Sequence, residues 1–303
     1  MNTSREVALP DAFRRRMVAS HGARGAAWLD ALPSLVHAYA GRWHVTLGEA
    51  MPISLNYVVA GERADGTRVV LKAGIWDDLR IETAALRHFG GHGAVRLLDA
   101  DEDARVLLLE RIDPGTPLAS LEDDARATEI AAGVMRELWR PPTPPQAFPT
   151  VDAWVAPFAA ATPEALGPLP SALVAKAREA FAQLLASAGE YVVLHGDLHH
   201  ENILDGGDGR WIAIDPHGVL GEREYETGAL LRNPMPQVAS WPDLPRTLAR
   251  RVDQLAAILG FDRHRIIAWG IAQAVLSAFW SYEERADGWQ PAIAIAEALA
   301  TLA

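Results

Sequence analysis

Apolar and polar positions change period twice along this chain, and each change marks a new kind of element. Trp43, Val45 and Leu47 alternate with polar neighbours. Tyr57-Val58-Val59 and Val69-Val70-Leu71 then flank the segment Glu62–Thr67, whose Asp65-Gly66 supplies the positive φ of a tight turn. These spacings predict a strand followed by a β-hairpin. From Asp78 to Phe89 the period becomes helical, with Leu79, Ala84, Ala85 and Leu86 apolar among charges and Gly90-Gly91 as the stop. Two further strands are expected over 94–100 and 105–112. Sequential strands with one inserted helix predict an antiparallel sheet with that helix on one face, a small α+β lobe.

Asp113-Pro114-Gly115-Thr116-Pro117 is a turn-rich joint, after which the pattern is mainly helical, over 122–139, 171–187, 245–259, 265–284 and 291–302. The joint divides the chain into residues 1–112, with 1–40 as a helical extension, and a mainly helical part over 113–303. Between the first two helices, residues 141–149 hold five prolines, which forbid a helix and predict a stiff surface connection. Inside the helical part, Tyr191–Leu194 runs into His195-Gly196-Asp197 and Trp211–Ile214 runs into Asp215. The two runs bracket Gly206-Gly207-Asp208-Gly209 and are expected to pair as a hairpin. Both aspartates then sit at strand ends, where loops gather functional side chains.

Half of the 303 residues are apolar, enough for a sizeable core, and cysteine is absent. The second fact excludes disulfides, a thiol nucleophile, a Cys-ligated zinc site and an iron-sulfur cluster. The formal net charge of −11 opposes nucleic-acid binding, which clustered positive charge drives. That deficit lies wholly in the second part, where residues 113–303 hold 14 basic and 25 acidic side chains against 14 of each in 1–112. Such a half either keeps the protein soluble or attracts cationic ligands. Met1–Arg16 has no apolar run longer than Val7-Ala8-Leu9, so no secretory signal is read there and the expected location is the cytoplasm. The most apolar stretch, Ile266–Trp280, is too short to span a bilayer and reads as a buried helix, so no membrane partner is expected.

The candidate chemistry begins at His195-Gly196-Asp197-Leu198-His199-His200-Glu201-Asn202, followed thirteen residues after Asn202 by Asp215. Phosphoryl transfer from a nucleotide needs a carboxylate to orient and deprotonate the attacking hydroxyl, and oxygen donors to hold magnesium (Mg2+) against the phosphates. Protein kinases use the same Asp-to-Asn spacing with a later metal-binding Asp. Upstream, Lys72 ends an apolar strand, and Glu82 on the next helix can hold its ammonium toward nucleotide phosphates. Lys72 is one of two lysines beside 26 arginines, so a compact point charge is implied at this position. A strand-end lysine in water beside an ordinary helical glutamate is the bland reading, and the downstream residues weigh against it.

The run His195–Asn202 with Asp215-Pro216-His217-Gly218 resembles the signature of the aminoglycoside phosphotransferase family, small-molecule kinases with a protein-kinase-like, two-lobed fold. Gly221-Glu222-Arg223-Glu224-Tyr225-Glu226 and Leu231-Arg232-Asn233-Pro234 look most like its streptomycin 6-kinase and hydroxyurea phosphotransferase branch. The resemblance implies Asp197 as catalytic base, Asn202 and Asp215 as magnesium ligands, Lys72 on the ATP phosphates and Glu82 as its partner. Leu47–Asn56 departs from protein kinases in holding a single glycine, Gly48, so Ser54 and nearby backbone amides are expected to replace the glycine-rich loop. The adenine is expected against main-chain groups near Glu110 to Ile112. His195 is expected to lock the catalytic loop through backbone hydrogen bonds. A zinc centre built on His199, His200 and His217 suits the oxygen-rich set less well than magnesium does.

For the acceptor, Glu222, Glu224 and Glu226 form one acidic cluster, and Glu283, Glu284 and Asp287 form another beside Trp280, Tyr282 and Trp289. Carboxylates beside aromatic faces suit guanidinium or ammonium groups. Glu222–Glu226 can equally cap a turn or pair with Arg223 and Arg232, and Glu283 and Glu284 can be a solvated helix end. The expected function is an ATP- and magnesium-dependent kinase acting on a hydroxyl of a small molecule, with a cationic, streptomycin-type aminoglycoside as first candidate. The alternatives are a same-fold kinase acting on hydroxyurea or another metabolite, and a catalytically silent nucleotide-binding protein.

Overall fold

The turn at Asp65-Gly66 sets the first sheet. Gly66 takes φ 83°, its N–H donates to the Arg63 carbonyl at 2.9 Å, and the Asp65 carboxylate accepts from the Thr67 N–H. The computed structural model describes residues 7–51, 56–142, 148–285 and 287–303. The chain divides into two units. One runs to Gly91 and takes in Val95–Ile112, and the other comprises His92–Ala94 and Asp113–Ala303.

In the first unit, helix α1 (Asp11–Arg42), which breaks at Gly22, precedes strands β1 (Val45–Ala50), β2 (Tyr57–Arg63) and β3 (Arg68–Ala73). Helix α2 (Asp78–Phe89) and strands β4 (Leu97–Asp101) and β5 (Val106–Glu110) follow. The sheet is antiparallel with strand order β1-β2-β3-β5-β4. Register decides which side chains share a face: Lys72 lies opposite Val58 on β2 and Leu107 on β5. Val69, Leu71 and Ala73 therefore point the other way, and they form one core with Val59, Leu108 and the α1 residues Phe13, Met17, Leu32 and Val36. Each Val, Leu, Phe or Met side chain among them contributes about 1.5–3 kcal/mol when fully buried. Lys72 is left on the opposite face.

The second unit holds α3 (Asp124–Leu138), α4 (Val151–Ala160), α5 (Pro163–Leu166), α6 (Ser171–Ala186), β6 (Tyr191–Leu194), β7 (Ile203–Asp205) and β8 (Trp211–Ala213). It continues through β9 (Val219–Glu222), α7 (Thr227–Leu231), α8 (Leu244–Leu259), α9 (Arg263–Arg285) and α10 (Gln290–Ala300). The apolar run Ile266–Trp280 lies inside α9, where Ile266, Trp269, Val275 and Phe279 are buried among helices. Among the described residues no helix is long and apolar enough to cross a membrane.

One pairing differs from expectation. Tyr191–Leu194 and Trp211–Ile214 do not form a hairpin with each other: β6 pairs with β9, and β7 pairs with β8. The glycine turn explains the difference. Gly206 N–H donates to the Arg210 carbonyl at 2.9 Å, so the turn closes on its immediate flanks, and Ile203 faces Ala213. The segment 195–202 is thereby held between two separate two-stranded ribbons.

Candidate active site

On the first unit, the β3 pleat turns Lys72 into a dry environment. Its ammonium donates to both Glu82 oxygens of α2 at 2.7 Å, and the two side chains are 3% and 9% exposed. A charged pair out of water persists only when its geometry is good, and a two-oxygen clasp meets that condition. Glu110 accepts from both the N–H and the guanidinium of Arg96. The N–H groups of Glu110 and Arg111 donate to the carbonyls of Arg96 and Arg68. Ile112 therefore carries the first main-chain amide beyond the sheet. Ser54 lies outside the described residues.

On the second unit, β6 delivers the chain into His195-Gly196-Asp197. Gly196 takes φ 87°, and a side chain there would collide with Trp154 of α4, so glycine is required on two counts. The N–H groups of His195 and Gly196 both donate to the buried Glu226 carboxylate, at 2.7 and 2.9 Å. Burial pushes the Glu226 pKa up to about 7, against the pull of these two donors. The His195 ring bonds the Ile214 carbonyl through Nε2 at 2.8 Å, and burial lowers its pKa to about 4. Ile214 in turn donates its N–H to the Asn202 carbonyl at 2.9 Å. The residue preceding Asp215 is thus tied to both ends of the loop, and Asp215 takes φ 57° as the strand turns away.

Asp197 is the most contested group. Arg232 Nη2 donates to its Oδ1 at 2.6 Å, and His199 Nε2 stands 3.3 Å from its Oδ2. Burial alone would raise the Asp197 pKa, but His199 and Arg232 override it and hold the carboxyl well below the usual carboxylate range. For His199, burial opposes charge, yet Asp197 and Glu201 raise its pKa to about 9. Asn202 donates its Nδ2 to the Asp197 carbonyl at 3.0 Å, which fixes the carboxamide and turns its oxygen toward the other side. Beneath the loop, the fully buried Arg251 reaches Asp124, the carbonyls of Leu230 and Asn233, and His200 Nε2. Burial, reinforced by Arg251, lowers the His200 pKa to about 3.

The donor set can be tested against a magnesium ion. Magnesium is usually held by one or two carboxylates together with substrate phosphates. Asn202, with its Nδ2 on the Asp197 carbonyl, and Asp215, which follows Ile214 on the main chain bonded to Asn202, are the residue types of that partial set. Among the described residues, no group of three or more His, Asp or Glu side chains is arranged to hold a metal alone.

The acidic residues separate into different roles. Glu222 does not face a ligand: it is 3% exposed, and its carboxylate is engaged by Arg265 at 2.6 Å, by the Trp269 indole N–H and by the Gly189 N–H. The β6–β9 pairing draws it inward. Arg223 forms its ion pair with Glu190 and Arg232 with Asp197, while Glu226 caps the loop N–H groups, so of the two readings the sequence allowed for Glu222–Glu226 the capping one describes Glu226. Glu224 is half-buried, with its pKa raised by burial. Glu283 and Glu284 are exposed near the end of α9, and Trp280 is 39% exposed one turn earlier. Sequence reasoning missed Trp154, Glu226 as a loop anchor and Arg232 as the partner of Asp197. None is marked by spacing, because each meets the loop only through chain reversals.

Comparison with known proteins places these features in a lineage. Residues 42–285 match a family described as aminoglycoside/hydroxyurea antibiotic resistance kinase. The chain is 35% identical to a streptomycin 6-kinase of Streptomyces griseus, over 99% of each chain. It is 34% identical to a hydroxyurea phosphotransferase of Kitasatospora aureofaciens, covering 87% of this chain and 77% of that one. Among solved structures, a thermostable aminoglycoside phosphotransferase in ternary complex with ADP and hygromycin B superposes with TM-score 0.60 at 16% identity, covering 86% of this chain and 97% of that one. The fold is protein-kinase-like.

Proposed function

We propose that this chain, which belongs to the aminoglycoside/hydroxyurea antibiotic resistance kinase family, transfers the γ-phosphoryl group of ATP to a hydroxyl of a small cationic molecule, a streptomycin-type aminoglycoside first. The observation that carries this reading is Asp197, a carboxylate fixed in place by Arg232 and His199 on a loop that Glu226 anchors. The acceptor oxygen attacks the γ-phosphorus, the bond from that phosphorus to the β-bridging oxygen breaks, and ADP leaves. Asp197 orients the acceptor O–H and takes its proton late, as the new bond acidifies it. A carboxylate held this far below its ordinary pKa is too weak a base to remove the proton earlier. Lys72, aimed by Glu82, would hold the nucleotide phosphates, with the adenine against Ile112. Asn202 and Asp215 would hold magnesium, which supplies charge neutralisation on the phosphates when bound.

The acceptor would lie on the exposed end of α9, with Trp280, Glu283 and Glu284. Glu222 is omitted because it is engaged inside the unit. ATP, the proposed donor, is a cytoplasmic nucleotide, and the cytoplasm is where we propose the reaction occurs. The test is ATP consumption by the purified chain with magnesium, measured separately against streptomycin, hydroxyurea and a set of amino sugars. Consumption dependent on an acceptor supports the reading. A thermal shift with ATP and no product from any acceptor would replace it with a silent nucleotide-binding protein.

A further inference from the structure

We infer that the acceptor is held by its ring face in a corner built from Trp154 and Trp280, so that the preferred substrate is a polar molecule built on rigid saturated rings rather than a small open-chain one. This rests on the phosphotransferase reading above and narrows its acceptor.

The two indoles come from distant helices, α4 and α9, and meet with ring centroids 6.4 Å apart and planes 80° to one another. The contact is edge to face, and the parts of the two rings that it leaves uncovered meet at nearly a right angle as a corner. The His217 ring, from the exposed residue two beyond Asp215, stands edge-on to Trp154 at 6.0 Å and 74°. The corner's distance from the chemistry is set by Gly196: a Cβ on that residue would lie 2.8 Å from the Trp154 six-membered ring. Trp154 therefore touches the residue adjoining Asp197. Trp280 keeps 39% of its surface in water beside the half-buried Trp154, an exposed apolar ring next to the catalytic loop.

A saturated six-membered ring offers an apolar C–H face to lie on an indole and polar substituents at its edge, one of which can point at Asp197. Glu283 and Glu284, three and four residues beyond Trp280 on the same helix face, add carboxylates where ammonium or guanidinium substituents would extend. Hydroxyurea is planar but too small to cover both walls at once, and it carries no ammonium or guanidinium substituent to reach Glu283 and Glu284.

The test uses the full chain with ATP, magnesium and either streptomycin or hydroxyurea. W280A alters an exposed position, and W154F keeps a ring over Gly196. Melting temperature and the KM for ATP report whether each variant is intact. Each variant is expected to raise the KM for streptomycin about three- to tenfold, the range of a lost aromatic contact, with kcat moving less than KM. Should W154F melt early, W280A carries the test alone. An unchanged KM for streptomycin in intact W280A overturns the corner. Wild-type protein that turns over hydroxyurea yet neither binds nor phosphorylates streptomycin overturns it too, while leaving the kinase reading in place. No turnover with any acceptor removes the kinase reading beneath it, and the corner goes with it.

Discussion

The two charged centres of this chain are built on opposite plans. Lys72 and Glu82 form a closed pair on a strand and a helix, with both carboxylate oxygens taken and almost no surface in water. Asp197 sits on a loop with 24% of its side chain exposed, and its two oxygens are divided between an arginine and a histidine that has partners of its own. The closed pair fixes one charge in one place, so it suits holding phosphates that do not react. The divided carboxylate keeps part of its surface open while its partners orient it, so it suits the step in which a hydroxyl must reach it. The loop backbone is held from below, by Glu226 and by Arg251 at His200, while Arg232 and His199 hold the carboxylate itself.

If this contrast is correct, Asp197→Ala should cause the largest loss. Phosphoryl transfer should fall about 10³-fold, within the range for a positioned base, while the melting temperature should fall less than for the buried Lys72–Glu82 pair, because Arg232, 11% exposed, loses its partner; steady-state kinetics and a thermal melt check both halves. Lys72→Met should invert the pattern. Removing one member of a buried pair costs about 3–5 kcal/mol, so denaturant unfolding should show the larger change, together with a raised KM for ATP. Glu226→Ala leaves two buried N–H groups without their acceptor, at about 1–3 kcal/mol each, and should lower both kcat and stability, with Glu226→Gln falling between.

The smallest expected effect is that of pH. His195 and His200 have folded pKa values lowered to about 4 and about 3, below an unfolded value near 6.5. At these two sites the unfolded chain therefore binds more protons below pH 6.5, and each histidine's contribution to stability falls on acidification by about 1.4 kcal/mol per pH unit until its folded pKa is reached. Glu226 and His199, whose folded values are raised to about 7 and about 9, add stability on acidification over the same interval, so the two sets largely offset one another and the net change is small. Urea unfolding of the wild type and of His200→Gln at pH 7 and pH 5 separates them: the variant should lose less stability on acidification than the wild type, and an equal change in both would contradict the buried, neutral placement of the His200 ring.

The sheet and the helices were legible because their signals are local. A period of two placed Lys72 opposite the α1 face, Asp65-Gly66 marked the hairpin, and a helical period brought Glu82 round to the strand-end lysine. Spacing likewise marked Asp197 and Asn202 on the loop, and Asp215 after β8, as the candidates for the proposed chemistry. What stayed hidden depends on pairing across long separations. The partner of β6 is β9, nearly thirty residues on, and that single pairing carries Glu222 inward to Arg265 and Glu226 under the loop. An acidic cluster read along the sequence therefore splits in space, with one glutamate neutralised by packing and another anchoring the backbone. Trp154 shows the same limit, since nothing local to α4 announces that its ring rests on Gly196.

The central claim is that the Asp197 carboxylate directs phosphoryl transfer to an acceptor hydroxyl. The most direct measurement is mass spectrometry of streptomycin incubated with ATP, magnesium and either the wild-type chain or Asp197→Asn, which keeps the side-chain shape and removes the charge. The account predicts that streptomycin gains one phosphoryl group with the wild type and almost none with the variant. Equal phosphorylation by both proteins would contradict it.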